Sequence, residues 1–126
     1  MAYHFILVML GGAVGAGARF AVGQALATRL GSGAATATLM VNIIGCLAMG
    51  ALAAWLARGG SGGEAVRLFV GVGLLGGFTT FSAFSLDGWQ LLERGEPGAA
   101  LAYILLSVGG ALGAFAVGHF AVRSLA

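Results

Sequence analysis

The chain has 126 residues, of which 60% are hydrophobic and 8% are charged, and its formal net charge is +2. So few polar residues cannot cover the surface of a soluble protein, and a mean hydropathy of +1.02 is typical of chains that lie in a bilayer. The arginines are scattered rather than clustered, so nothing in the charge favours nucleic-acid binding. Composition therefore predicts an all-α membrane protein embedded in a lipid bilayer.

Four apolar segments are each long enough to cross the hydrocarbon core, which takes about 20 residues. They predict one transmembrane domain over residues 1–126, with spans at about residues 4–28, 35–57, 65–92 and 99–122. The first span exceeds signal-peptide length and carries Arg19 instead of a small-residue cleavage site, so we expect it to remain. Pro97, the only proline, stands where it would start the last helix. The lone cysteine, Cys46, lies in the second span, where we expect it to pack.

The third span contains the most informative motif, an uncharged GGFTTFS run from Gly76 to Ser82. Each glycine costs roughly 1 kcal/mol relative to alanine in a helix, and threonine adds a smaller penalty. The run predicts that the third helix breaks near its middle, within Gly76 to Ser82. Backbone groups freed at membrane depth must be packed in protein, bind an ion or line a wet cavity.

Charge placement barely fixes the orientation of the chain in the membrane. Four spans put both termini and the second connection on one side, so that Arg58, Arg67 and Arg123 face Arg29 and Arg94. Arg19 could make the two sides equal, whereas the positive-inside rule needs a clear asymmetry. A chain that inserts both ways could pair with an inverted copy of itself.

Small residues at four-residue spacing, which let helix backbones approach closely, recur in the first and fourth spans. The pairs are Gly11 with Gly15, Gly12 with Ala16, Gly109 with Gly113 and Gly110 with Ala114. Because lipid offers no hydrophobic drive for helix association, contact must come from fitted surfaces. We expect these faces to pack between subunits, and packing within one subunit is the alternative.

Three groups of residues each share one face of a predicted helix. They are Thr38 with Asn42, Phe81 with Phe84, and Tyr103 with Ser107 and Ala111. Together with the Thr80 hydroxyl they could line a path that offers hydrogen-bond donors and electropositive ring edges but no fixed charge. Such a path would hold a small, strongly hydrated anion weakly enough to release it. The alternative is that these side chains only bond and pack between helices.

Arg19 is the one charge inside the first span, where it costs roughly 2.5 to 3.5 kcal/mol if central. It could attract anions into a vestibule, or pair with Asp87 or a backbone carbonyl. A proton-coupled exporter of the small multidrug-resistance type would need a carboxylate in the membrane core, and Asp87 is the only candidate. A structural subunit would explain the glycines but not the broken helix. No nucleophile-and-base pair, metal cluster or phosphate loop in the sequence predicts an enzyme.

Three blocks of the sequence resemble the Fluc (CrcB) fluoride channels. They are Gly11 to Phe20, Thr38 to Cys46, and Gly73 to Phe84, whose GGFTTFSAF run is the most specific. The resemblance covers essentially the full length. It implies a passive fluoride-selective channel that lets fluoride leave a microbial cytoplasm across the bacterial plasma membrane. It also implies an antiparallel dual-topology homodimer with two separate pores.

The resemblance also assigns roles to particular residues. Asn42 would be the pore-lining amide, and Phe81 and Phe84 would be the rings that meet fluoride edge-on. Tyr103 and Ser107 would line the pore on the fourth helix. The accessory polar positions would be Thr38 and Thr80, and the first-helix arginine would be Arg19.

A structural sodium ion is implied at the dimer centre, held by the backbone carbonyls of Gly76 and Thr79 from both subunits. Two positions depart from the family pattern. Ala111 stands where we expect a hydroxyl, so the polar track on the fourth helix is shorter. Asp87 stands where we expect glutamate, which shortens the reach of that carboxylate.

Overall fold

The computed structural model describes residues 1–125, which form four long apolar crossings. Three crossings are single helices, α1 (Ala2–Leu30), α2 (Ala34–Ala57) and α5 (Pro97–Ser124). The third crossing is divided into two helices, α3 (residues 63–78) and α4 (Phe81–Glu93). Helix α3 begins with an α-helical turn, Gly63–Val66, continues as a π-helix, Arg67–Leu75, and ends with one α-helical turn, Gly76–Phe78. The all-α class and the interruption in the third crossing are confirmed. Each predicted span falls within one crossing.

The helix ends follow the local sequence. Gly31 ends α1 in the left-handed conformation, with φ of 60°, and its N–H bonds the Leu26 carbonyl. Pro97 occupies the first turn of α5, as predicted, where its missing N–H removes no intrahelical bond. These short connections place consecutive crossings side by side.

The break in the third crossing lies at Thr79 and Thr80, inside the Gly76 to Ser82 run in which the sequence predicts it and after the two glycines. Gly76 keeps helical dihedral angles, whereas Thr79 and Thr80 are both extended, with ψ of 159° and 123°. Glycine's weak helix propensity does not decide the matter, because Gly77 packs tightly on α1 while still helical. The Thr80 hydroxyl accepts from the Ala83 N–H at 3.1 Å and so starts α4 as an N-cap.

Glycines bring α1 and α3 into backbone contact. A Cβ added at Gly15 would collide with the Leu74 carbonyl, and one added at Gly77 would lie 2.6 Å from the Gly12 carbonyl oxygen. The small-residue face of α1 therefore packs within one chain, whereas we expected it to pack between subunits. On α5, a Cβ added at Gly113 would meet no atom of residues 1–125 within 4 Å.

Helices α2 and α5 also pack through glycines. A Cβ added at Gly50 would collide with the Phe115 carbonyl, and one added at Gly118 with the Leu47 carbonyl. At the same end of the bundle, Arg58 donates through Nη1 to the Val122 carbonyl at 2.8 Å. This bond ties the second connection to the carboxyl-terminal end of α5, as an even number of crossings requires.

Candidate functional site

Asn42 on α2 forms hydrogen bonds with the backbone at the break in the third crossing. Its Nδ2 donates to the Thr80 carbonyl at 2.9 Å, and its Oδ1 accepts from the Thr80 N–H at 2.7 Å. One amide side chain thereby satisfies both backbone groups of Thr80, which a continuous helix would have used internally. The second Nδ2 hydrogen remains free to serve another acceptor.

The same arrangement changes the bonding of the carbonyls just before the break. In a continuous α-helix the Gly76 carbonyl would accept from the Thr80 N–H, which here goes to Asn42. The Gly77 carbonyl accepts from Arg19 Nε at 3.2 Å. Among residues 1–125, no backbone or side-chain donor bonds the Thr79 carbonyl. The break thus leaves the Gly76 and Thr79 oxygens available as hard ligands.

A cavity of about 310 Å³ lies beside the break, between α2, α4 and α5. We call it the phenylalanine cavity. Its polar and aromatic lining comes from Asn42, Cys46, Thr79, Thr80, Phe81, Phe84 and Ser107. The rest of its wall is aliphatic, supplied by Val108, Ala111 and Leu112. No charged side chain lines it within the described part of the chain.

Phe81 and Phe84 form a row of aromatic rings along this cavity, and Tyr103 extends the row beyond the cavity wall. The Phe81 and Phe84 centroids are 5.3 Å apart, and the Phe84 and Tyr103 centroids are 5.4 Å apart, with tilted planes in both pairs. Phe81 is 77% exposed within the single chain, so one edge of the row faces outward.

Ser107 is the polar group in this cavity that the protein itself does not satisfy. The residue is only 6% exposed, and its Oγ has no hydrogen-bond partner within residues 1–125. A buried hydroxyl left unpaired costs about 1–3 kcal/mol, so a partner from outside the protein is expected. The residue borders the cavity that also contains the Phe81 and Phe84 rings.

Tyr103, at the buried end of the ring row, forms a pair with Asp87. The Tyr103 hydroxyl donates to Asp87 Oδ2 at 3.3 Å, and both residues are buried. Asp87 therefore binds a tyrosine hydroxyl rather than Arg19. Arg19 instead uses a backbone carbonyl, one of the two pairings that the sequence left open.

Arg19 lines a second cavity, of about 330 Å³, on the other side of α2. We call it the arginine cavity. Its polar lining consists of Arg19, Gln24, Ser32, Thr38 and Thr80. Thr80 also lines the phenylalanine cavity, so the two cavities share one wall residue at the break.

Comparison with known proteins identifies the family of this fold. The family model described as "CrcB-like protein, Camphor Resistance (CrcB)" matches residues 6–119. The chain belongs to the CrcB-like family. A relative from Sphingopyxis alaskensis, named "Fluoride-specific ion channel FluC", is 58% identical over 94% of both chains. Relatives with the same name from Chelativorans sp. and Paracoccus denitrificans are 50% and 51% identical over at least 98% of each chain. These relatives are named as ion channels, not as enzymes, in agreement with the sequence prediction.

The structure brings together five of the residues that the sequence proposed for this CrcB-like chain. Around the phenylalanine cavity lie Asn42, Thr80, Phe81, Phe84 and Ser107. Thr38 lines the arginine cavity instead, together with Arg19. Tyr103 lines neither cavity, and it contacts the site through the Phe84 ring.

Three residues of the cavity wall were not predicted from the sequence: Cys46, Val108 and Leu112. Cys46, expected only to pack, lies in the phenylalanine cavity. Its spacing of four residues from Asn42 could have identified it, because such pairs share a helix face.

Proposed function

We propose that this chain is a passive, fluoride-selective ion channel of the bacterial plasma membrane that lets fluoride leave the cytoplasm. The relatives' shared name, fluoride-specific ion channel, supports the choice of ion. The chemistry of the phenylalanine cavity supports it independently. Its polar groups are neutral donors, and its rings present electropositive edges.

The observation that carries the proposal is the buried, unpaired Ser107 hydroxyl beside Phe81 and Phe84. Fluoride is a small and strongly hydrated anion, so a pore must replace several water hydrogen bonds without holding the ion tightly. Ser107 and the free Nδ2 hydrogen of Asn42 would supply donors, and the ring edges would supply weaker attraction. Without a fixed positive charge in the cavity wall, the ion remains free to leave.

The two cavities suggest the route of the ion. The Arg19 guanidinium would raise the local anion concentration in the arginine cavity, which acts as a vestibule. Thr38 and Thr80 would offer hydroxyls as water is shed. Past Thr80 the ion would enter the phenylalanine cavity, where Tyr103 supports the position of Phe84.

The functional unit is an antiparallel homodimer with two pores, one beside each subunit's break. The nearly balanced arginines at the two ends support this assembly. A cysteine at exposed Ser61, introduced in a Cys46→Ser background, would test it in intact cells. Partial labelling from each side is expected, and complete labelling from one side alone would rule out dual topology.

A sodium ion at the dimer centre would bind the Gly76 and Thr79 carbonyls of both subunits. These oxygens fit the ion because the break deprives them of helical donors, and uncharged oxygen ligands suit a monovalent hard cation. Its role would be structural, since it would join the two breaks. A high-resolution structure in sodium should contain density with oxygen contacts shorter than hydrogen bonds. Density fitted by water at about 2.7–3.2 Å would refute the site.

The test of the channel proposal is fluoride efflux from liposomes loaded with potassium fluoride, with and without valinomycin. A passive channel carries charge, so its flux should appear only when valinomycin lets potassium leave as well. The buried Asp87 carboxyl favours one alternative, an electroneutral proton-coupled exporter. Such an exporter would release fluoride without valinomycin, and a structural subunit would release none in either condition.

A further inference from the structure

Cys46 occupies the wall of the phenylalanine cavity on the side away from Thr80. The thiol is free and half-buried, and it lies one helical turn beyond Asn42 on the same face of α2. Asn42, Cys46 and Ser107 all border the same space. The cavity therefore extends past the amide and the hydroxyl to a third group that contains a hydrogen-bond donor.

The facing wall at this level is aliphatic. Ala111 lies one turn beyond Ser107 on α5, and Leu112 adjoins it. The register of α2 against α5 is fixed on both sides of Cys46. A Cβ added at Gly110 would lie 3.0 Å from Ile43 Cδ1, and one at Gly50 would collide with the Phe115 carbonyl. Cys46 thus faces methyl groups, and its S–H is the polar hydrogen at this depth.

The unpaired Ser107 hydroxyl is a second and independent sign that a ligand enters this space. Ser107 is buried, it borders the cavity together with Cys46, and its Oγ has no partner among residues 1–125. Cys46 and Ala111 line the same cavity as Ser107, each one helical turn or less from a residue of the polar wall. A weak donor at this level would ease the transfer of an ion without trapping it.

We propose that the ion path continues past Cys46, and that the Cys46 thiol is the donor that receives the anion after Ser107. This inference deepens the proposed function and rests on it. It assigns to the only cysteine of the chain a role in conduction rather than in packing. It also makes Cys46 the point at which a small thiol reagent would obstruct the path.

Fluoride efflux from proteoliposomes with valinomycin tests the donor role. Cys46→Ala should slow efflux about tenfold relative to wild type, which corresponds to about 1.4 kcal/mol in the barrier. Cys46→Ser keeps a donor and should match or exceed the wild-type rate. Adding Ala111→Ser to Cys46→Ala puts a hydroxyl on the opposite wall and should restore efflux. Such a rescue is not expected if Cys46 only fills space.

Methyl methanethiosulfonate tests whether the path reaches the thiol. The Cys46 thiolate attacks the sulfenyl sulfur of the reagent, forms a mixed disulfide that carries a methylthio group, and expels methanesulfinate, while the thiol proton goes to water. Modification should slow wild-type efflux at least as much as Cys46→Ala does, and dithiothreitol should reverse it. A matched control is Leu105→Cys in the Cys46→Ala background, because Leu105 is exposed and points away from Ser107 on α5. Its modification should leave efflux unchanged.

Two results would overturn the proposal while wild-type fluoride efflux is intact. One is unchanged efflux in Cys46→Ala together with complete, harmless modification of Cys46 by mass spectrometry. The other is a thiol that stays unmodified in the conducting protein, which would mean that the path does not reach it. Absence of wild-type fluoride efflux would instead refute the proposed function itself.

Discussion

The two halves of the third crossing differ in how closely they pack against their neighbouring helices. Before the break, α3 packs against α1 backbone to backbone, and the glycines leave no space at Gly15 or Gly77. After the break, α4 borders an open cavity whose wall includes Ser107, and the Ser107 hydroxyl has no hydrogen-bond partner among residues 1–125. Close backbone packing and an open cavity therefore lie next to each other in one crossing, on either side of Thr79 and Thr80. The first half supplies rigidity, and the second half supplies the site.

Asn42 joins the two halves, so a change of charge there should have the largest effect. Asn42→Asp removes the donor to the Thr80 carbonyl and places a carboxylate in the cavity. Repulsion of an anion at about 4 Å amounts to about 4 kcal/mol at an effective dielectric constant of 20. Fluoride efflux should fall by about two orders of magnitude or more. Dimer yield in the same preparation serves as the control, and wild-type efflux from a well-folded variant would contradict the role of Asn42.

The packed half can be broken separately. Gly15→Ala should lower stability by about 1–3 kcal/mol, because the new methyl group would overlap the Leu74 carbonyl. Gly17→Ala is the matched control on the same helix, since a Cβ there meets nothing within 4 Å. It should be neutral or slightly stabilising. Thermal unfolding of both purified variants measures the difference, and equal unfolding midpoints would contradict backbone contact between α1 and α3.

Substitutions in α4, the half that borders the cavity, should change fluoride flux more than stability. Phe81→Ile and Phe84→Ile keep apolar bulk but remove the electropositive ring edges. Each should reduce fluoride efflux about tenfold or more, a barrier increase of about 1.4 kcal/mol, while dimer yield stays near that of wild type. Undiminished efflux in both variants would remove the rings from the ion path.

The smallest effect is expected at the start of α4. Thr80→Ala removes the N-cap that accepts from the Ala83 N–H and should cost about 0.5–2 kcal/mol of stability. Thr80→Ser keeps the oxygen and should cost less. Chemical unfolding of the two variants compares them directly. If serine and alanine are equivalent, the hydroxyl does not hold the break.

The four crossings could be predicted from the sequence, because long apolar segments and a proline at a helix start are local signals. The existence of a break in the third crossing could be predicted as well. The break falls within the predicted run, but at Thr79 and Thr80 and not at Gly76-Gly77, where helix propensity places the larger penalty. Tertiary contacts override that penalty: α1 packs against the helical glycines, and Asn42 captures the backbone of Thr80.

The site was predictable to the extent that it depends on helix faces. Spacing brought Phe81 and Phe84 to one face, and the rings lie 5.3 Å apart. Spacing could not show that Thr38 and Asn42, four residues apart, border different cavities, because α4 meets α2 between them. Nor could it show that Tyr103 turns to Asp87, a contact between residues 16 apart along the chain.

The measurement that tests the account most directly is paired anion efflux from liposomes that contain the wild-type protein. One set is loaded with potassium fluoride and the other with potassium chloride, and valinomycin starts the flux in both. The account predicts rapid fluoride release and retained chloride, because neutral donors and ring edges in a narrow cavity replace the hydration of the smaller anion. Equal release of the two anions, or release of neither, would contradict it.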